Sequence, residues 1–344
     1  MENIKVVIYG IGVIGRRLAK HLVSKEGVEI VGAVDIDPDI VGTDLGEIIE
    51  EGKMGVIICN DADKILHETK PDIVCHTTSS YLHQTFTQLE QILKNGVNIV
   101  STCEELSYPY ATKSGRDYAD RLDYIARENC ATLLGTGVNP GYLMDTLPIF
   151  LTAVCEEIEQ LTIVRQMNAA TRRVPFQNKI GAGLTLEEFR ESIENGKITG
   201  HVGLEQSISM ISKALGWELD SIKVESVNPV ILDFDVASNA IDVPQGYVAG
   251  SKQMAYGIMN GMPVITTDFR AYIGAQDEFD SVYVKGIPPI NQKISPCVHG
   301  DHATIAITAN MIPHVLNSEP GLKTMIDLPI PHATLSHIRV YVNA

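Results

Sequence analysis

At 344 residues the chain is too long for one comfortable hydrophobic core and points to two domains. Its 44% hydrophobic content is that of an ordered globular protein, and 43 acidic against 27 basic residues leave a formal charge of −16. That field is the wrong sign for a nucleic-acid or anionic-membrane footprint, so a small-molecule partner is expected, with no nucleic acid and no membrane.

The chain opens on a strand pattern, "IKVVIYG" (4–10), so no signal peptide is expected. Further apolar runs follow at "VEIVGAVD" (28–35), "VIIC" (56–59), "DIVCHTT" (72–78), "NIVST" (98–102) and "TLLGTG" (132–137). They are continuous rather than alternating, which suits strands covered on both faces. Helical patterns separate them, most clearly over 13–25, 82–95 and 113–128. The alternation predicts an α/β fold, with a doubly wound parallel-sheet Rossmann domain over residues 1–140.

Asn139, Pro140 and Gly141 break this pattern. Beyond them the spacing predicts a helix over 142–154, a strand at 159–168 and helices near 186–195 and 203–215. Two strands then follow, joined at Asn260-Gly261, a dipeptide favoured in tight hairpins. A strand at 280–286 and a helix over 300–316 complete the reading. The expected second domain, 141–344, is an α+β substrate-binding and dimerisation domain with a mixed or antiparallel sheet, whose C-terminal segment can pack back on the first domain. A symmetric homodimer is expected. The apolar stretch "LPIFLTAVC" (147–155) is too short to span a bilayer. The cysteines, at 59, 75, 103, 130, 155 and 297, show no metal-ligand spacing. Buried thiols in a reducing cytoplasm are expected, and no metal site.

Gly10, Gly12 and Gly15 stand in G-x-G-x-x-G spacing between the first strand and the first helix, with Asp35 twenty residues past Gly15. That context is the dinucleotide fingerprint. The diphosphate rests on the helix N-terminus, at the amides around Val13 and Ile14, and Asp35 receives the ribose hydroxyls. Ile36 rather than arginine follows Asp35, so NAD is expected over NADP; Arg16 beside the loop keeps NADP possible.

In such a sheet, chemistry gathers at the C-terminal strand ends. "HTTSS" (76–80) places Thr77 and Thr78 along the cofactor, and "GVNPG" (137–141) places Asn139 and Pro140 at the nicotinamide. "STCEEL" (101–106) carries adjacent carboxylates, Glu104 and Glu105. If strand geometry persists there, the two point to opposite sides and one faces the nicotinamide. A carboxylate in that position serves as a base and stabilises a developing iminium, which suits amine rather than alcohol oxidation. A solvated helix entry is the plainer reading of the pair. Two rival functions use the same chain: a hydroxy-acid or semialdehyde dehydrogenase working through His76 or Cys103, and an NAD-responsive binding protein without chemistry.

The segments "GIGVIG", "STCEEL", "GTGVNPGYLMD", "QNKIGAGLT", "HVGLEQS" and "GDHAT…PGLKTMIDLP" together resemble the 2,4-diaminopentanoate dehydrogenases and related native amine dehydrogenases over nearly the whole chain. The N-terminal domain is similar to that of dihydrodipicolinate reductase, although no run here matches that enzyme's paired-histidine segment. The resemblance implies NAD(P)-dependent oxidative deamination of an amine, reversible as reductive amination of a ketone with ammonia, and it assigns the catalytic carboxylate to Glu104. Cys103 departs from the family's Thr-Thr-Glu-Glu pattern and leaves both glutamates in place. For a substrate carboxylate the expected contacts are Arg165, with its bidentate guanidinium, together with Asn168 and His302. Arg172, Arg173 and His201 are weaker candidates, and Glu105 has no assigned role.

Overall fold

The computed structural model of the chain describes residues 2–343. It divides into two compact units, one made of the chain up to Tyr142 and again from Gly300, the other of Leu143–His299.

In the first unit, strands β1 (Ile4–Tyr9), β2 (Val28–Val34), β3 (Ile58–Cys59), β4 (Ile73–His76), β5 (Asn98–Ser101) and β6 (Thr132–Gly135) alternate with helices. The helices are α1 (Val13–Val23), α2 (Leu45–Ile48), α3 (Ala62–Thr69), α4 (Leu82–Lys94) and α5 (Lys113–Glu128). The strands pair in the order β6-β5-β4-β1-β2-β3, every pair parallel. This is the Rossmann order, and its direction reverses between β1 and β4. Ile4, Val6, Val7 and Ile8 of β1 are wholly buried because helices cover both faces. The apolar stripe of α4, Leu82, Phe86, Leu89, Ile92 and Leu93, packs into one cluster with Val74, Ile99 and Leu133. Burying each such side chain contributes about 1.5–3 kcal/mol.

The second unit holds helices α6 (Thr146–Leu151), α7 (Val174–Lys179), α8 (Leu186–Glu194) and α9 (Leu204–Leu215). Its longer strands are β7 (Glu157–Asn168), β12 (Val248–Met259), β13 (Met262–Tyr272), β14 (Phe279–Ile287) and β15 (Ile290–Ile294). Between α9 and β12 run four short ones, β8 (Ser221–Val224), β9 (Asn228–Ile231), β10 (Val236–Ala237) and β11 (Asp242–Val243). The main sheet runs β15-β14-β7-β13-β12-β8, with β9 also on β12. It is mixed, since β7 and β13 are parallel while their other neighbours are antiparallel. Along β7 the odd positions Leu161, Ile163, Arg165 and Met167 are buried and the even ones half-exposed, so one face is core. Asn260 and Gly261 both take positive φ, 53° and 74°, as a tight I′ hairpin between β12 and β13 requires.

The chain then returns to the first unit. Helix α10 (Gly300–Leu316) packs on α1 and β5, and β16 (Gly321–Lys323) adds a seventh parallel strand beside β6. Everything from Gly300 therefore belongs with the Rossmann sheet, which shortens the second unit from the expected 141–344. The helix expected over 142–154 begins only at Thr146, where the Asp145 carboxylate accepts the Thr146 N–H. Among the described residues no helix is long and apolar enough to cross a membrane.

Candidate active site

The glycine loop divides three tasks among three residues. Gly10 takes φ +97°, and a side chain there would meet the Thr77 backbone at 2.8 Å. Gly15 lies so close to the strand that a Cβ would sit 1.8 Å from the Gly10 carbonyl oxygen. Around Gly12 the space is open, with nothing within 4 Å of an added Cβ. Gly12 is also the N-cap of α1 and supplies no side-chain cap, so the first amides of the helix face this opening beside Val13 and Ile14. A helix N-terminus with open space in front of it fits a diphosphate. Asp35 lies at the tip of β2, where one carboxylate oxygen accepts the Ile11 N–H and the other the Asp37 N–H at 2.9 Å. Two backbone bonds orient it and leave acceptor capacity for hydroxyls. Arg16 donates from Nε to the Ile11 carbonyl at 2.9 Å, which ties it to the loop.

Next to β1, the tip of β4 continues the wall. Thr77 donates through its hydroxyl to the Gly10 carbonyl at 2.7 Å, locking the β4 tip to the glycine turn, and Thr78 beside it is exposed. His76 is fully buried. Its Nδ1 lies 2.9 Å from the Ser101 hydroxyl and its Nε2 2.8 Å from Gln88 Oε1 and 3.0 Å from the Thr78 hydroxyl. Burial pushes its pKa down to about 4. Both ring nitrogens are occupied by side chains rather than backbone, so His76 is a neutral core residue.

On β5 the strand stops at Ser101, and Glu104–Ser107 form a 3-10 turn. The expected strand alternation of Glu104 and Glu105 therefore does not hold, since both lie in a 3-10 turn rather than a strand. Glu104 is half-buried at the start of the turn, its carbonyl accepting the Ser107 hydroxyl at 2.7 Å. Glu105 accepts the Leu82 N–H at 2.6 Å, capping α4. Cys103 is only 1% exposed, and burial pushes its thiol up to about 12. That is the wrong direction for a nucleophile at neutral pH.

The β6 tip closes the row. A Cβ on Gly135 would fall 2.5 Å from the Leu106 carbonyl carbon, so the Glu104-bearing turn rests directly on this glycine. Asn139 and Pro140 follow, buried and joined by a cis peptide. Gly141 (φ +121°) folds back against Gly137, and the Val138 N–H donates to the Thr304 hydroxyl of α10 at 3.3 Å. The tips of β1, β4, β5 and β6 thus stand side by side on one sheet edge, bringing together the loop, Thr77, Thr78, Glu104, Asn139 and Pro140.

The expected substrate contacts fare differently. Arg165 is 2% exposed; it pairs with Asp280 at 3.2 Å and donates to the Val298 carbonyl at 2.6 Å. Burial raises the Asp280 carboxyl pKa, while Arg165 opposes the rise. Arg165 is therefore the internal counter-ion of the β7–β14 sheet, not a carboxylate clamp. Asn168 spends its side-chain carbonyl on the Ala170 and Gly274 amides, holding the turn after β7. His302 is exposed on α10 in the first unit, 3.1 Å from the Arg17 guanidinium. It borders a surface cavity of about 580 Å³ lined also by Lys20, His21 and Glu51, on the α1–α10 flank. His201 stacks on Phe269 with ring centroids 4.3 Å apart, and Arg172 lies over the Phe176 ring. Sequence reasoning also missed Gly135 and Ser101, one the seat of the glutamate turn and the other the partner of His76. Gly135 carried a visible signal, being the glycine that ends an otherwise apolar strand.

Residues 142–344 match the family described as the 2,4-diaminopentanoate dehydrogenase C-terminal domain. Residues 4–104 match that described as the dihydrodipicolinate reductase N-terminus. The chain is 36% identical to a 2,4-diaminopentanoate dehydrogenase of Acetoanaerobium sticklandii, over 98% of this chain and 97% of that protein. It is 22% identical to an amine dehydrogenase of Streptomyces virginiae, over 95% and 96%. Among solved structures, an amine dehydrogenase from Mycobacterium smegmatis superposes with a TM-score of 0.84 at 26% identity, covering 97% of this chain and 98% of that one. The N-terminal match falls within the first unit, and the C-terminal match covers the second unit together with the segment from Gly300; the chain belongs to the 2,4-diaminopentanoate dehydrogenase family and is an oxidoreductase built on a Rossmann domain.

Proposed function

We propose that this protein catalyses the NAD-dependent oxidative deamination of 2,4-diaminopentanoate to 2-amino-4-oxopentanoate, releasing ammonia, and runs in reverse as a reductive amination. The observation that carries the reading is the 36% identity, over 98% of the chain, to a dehydrogenase of that substrate. The strand-tip arrangement gives it a mechanism. The loop from Gly10 to Gly15, Asp35, Thr77, Thr78, Asn139 and Pro140 would hold the dinucleotide, and the open space at Gly12 fits its diphosphate. When bound, the nicotinamide supplies the hydride acceptor. Glu104 takes a proton from the substrate ammonium, so that the nitrogen lone pair is free to expel hydride from C4. Once that proton has passed to solvent, the regenerated carboxylate stabilises the iminium and takes a proton from the attacking water, returning it to the departing nitrogen so that ketone and ammonium leave. Asp35 favours NAD, because a ribose 2′-phosphate would meet its negative charge; Arg16, already bonded to the loop carbonyl, is poorly placed to offset that.

Two structural features speak against the rival dehydrogenases. His76 has both nitrogens bonded inside the core, and the Cys103 thiol is shielded and un-ionised. Free cysteines throughout support a reducing, cytoplasmic setting. A homodimer is supported by the second sheet's half-exposed face, where Val164, Met254, Tyr256 and Tyr283 lie on one side.

The test is NADH formation from 2,4-diaminopentanoate at neutral and alkaline pH, with wild type and Glu104→Gln compared. Activity lost in the variant with NADH binding retained is the expected result. Equal activity in both would remove Glu104 from the chemistry. Silence in both would redirect the search to simple ketones with ammonia.

A further inference from the structure

Two adjacent carboxylates repel each other, and the proposed chemistry needs only one. The second has a specific use in the structure. Helix α4 starts at Leu82 after Tyr81, an N-cap residue that offers no side-chain acceptor. Its first amide is satisfied instead from 23 residues away, by Glu105 at 2.6 Å. The Glu105 N–H in turn donates to the Ser80 carbonyl at 3.2 Å, and the Cys103 thiol donates to the same carbonyl at 3.3 Å. Three bonds from residues 103 and 105 thus bind the turn on either side of Glu104 to the stretch 80–82. That stretch lies one residue beyond Thr77 and Thr78, which are locked to the glycine loop through Thr77.

We propose that Glu105 is a positioning residue for Glu104, joining the catalytic turn to the cofactor-lining β4–α4 turn so that the two keep a fixed spacing. The proposal rests on the reading of Glu104 given above. A local Asp or Ser at position 81 would cap the helix through its second or third amide, but it would fix α4 to itself. A cap delivered from residue 105 fixes α4 to the Glu104 turn. Its charge also suits the positive end of the helix dipole. Gly135 supports the same turn from the β6 side, so loss of Glu105 frees one side while the other holds. The consequence is a small displacement of Glu104 rather than unfolding, and a misplacement of about 1 Å can cost on the order of 100-fold in rate.

The experiment uses the full-length enzyme as wild type, Glu105→Gln, Glu105→Ala and the double variant Tyr81→Asp with Glu105→Ala. It reads kcat and KM with 2,4-diaminopentanoate, NADH affinity by fluorescence, urea stability, and alkylation of Cys103 mapped by mass spectrometry. Glu105→Ala is expected to lose roughly 10- to 100-fold in kcat, with NADH affinity within about threefold of wild type. Its Cys103 should be alkylated about tenfold faster or more, because the turn opens locally. Glu105→Gln, whose amide oxygen still accepts the Leu82 N–H, is expected to recover most of kcat. The double variant is expected to regain stability through the local cap and to remain slow.

Wild-type kcat in Glu105→Ala would overturn the proposal. So would recovery of kcat by Tyr81→Asp, which would make Glu105 a helix cap only. Equal loss in Glu105→Gln and Glu105→Ala would show that the charge itself is needed and that position is not the point. If the wild type turns over no amine, the functional reading fails on its own, and Cys103 alkylation still decides the tie: an unchanged rate in Glu105→Ala refutes it.

Discussion

A methyl group added at Gly12 and one added at Gly15 should fail in opposite ways. Gly12 has φ −74°, which any residue adopts, and an added Cβ meets nothing within 4 Å. Folding should tolerate Gly12→Ala and can gain about 0.4–1 kcal/mol from a less flexible unfolded chain. The same methyl points into the space assigned to the diphosphate, so NADH affinity should fall at least about tenfold, or roughly 1.4 kcal/mol. At Gly15 the methyl would sit 1.8 Å from the Gly10 carbonyl oxygen and 2.8 Å from Thr77 Oγ1. Ordinary contact begins near 3.4 Å, so α1 would have to retreat by about 1.6 Å from β1. Overpacking of this kind costs about 1–3 kcal/mol, and NADH binding falls as a consequence of the displaced helix. Urea unfolding and NADH fluorescence titration on both variants separate the two cases. Wild-type NADH affinity in Gly12→Ala would refute the placement of the diphosphate, and unchanged stability in Gly15→Ala would refute the close helix packing.

Arg165→Met should destabilise the fold by about 3–5 kcal/mol in urea, because it strands the buried Asp280 carboxylate. Arg165→Met combined with Asp280→Leu should recover much of that loss, whereas a substrate clamp would show its effect in KM without a stability change. His76 predicts an acid limb. Above about pH 6.5 both folded and unfolded states hold it neutral; below that, the unfolded chain takes up a proton that the folded chain refuses until about pH 4. Stability should therefore decline by about 3 kcal/mol as pH falls through that window. His76→Gln should flatten this part of the profile in urea titrations at a series of pH values.

The Rossmann half was legible because its signals are local. Apolar runs covered on both faces lack alternation, and the glycine spacing with Asp35 repeats a fixed backbone geometry, which puts the loop between β1 and α1 and Asp35 at the β2 tip. The hairpin at Asn260-Gly261 was legible for the same reason, since few residue pairs accept positive φ in succession. Arg165 was misread because an arginine on a strand looks the same whether its partner is a substrate or an aspartate 115 residues later. Asp280 becomes its neighbour only through the β7–β14 register. The Glu104–Glu105 stretch was misread because a strand and a 3-10 turn differ in side-chain direction, and the turn here is held by contacts with Gly135 and Ser80 as well as by its own bonds.

By itself, then, the amino-acid order determined the alternation of strands and helices, the glycine loop with its acidic partner, and the presence of a carboxylate at the end of β5. Those features depend on residues near one another in the chain, where backbone sterics and side-chain periodicity act directly. Tertiary structure alone decided that the returning C-terminal segment adds a strand beside β6, that His76 is sealed among Ser101, Gln88 and Thr78, and that Glu105 caps a helix begun 23 residues earlier. Each of these joins groups distant in sequence, and hydrogen bonds of that kind form only once packing of the whole sheet has brought donor and acceptor within about 3 Å.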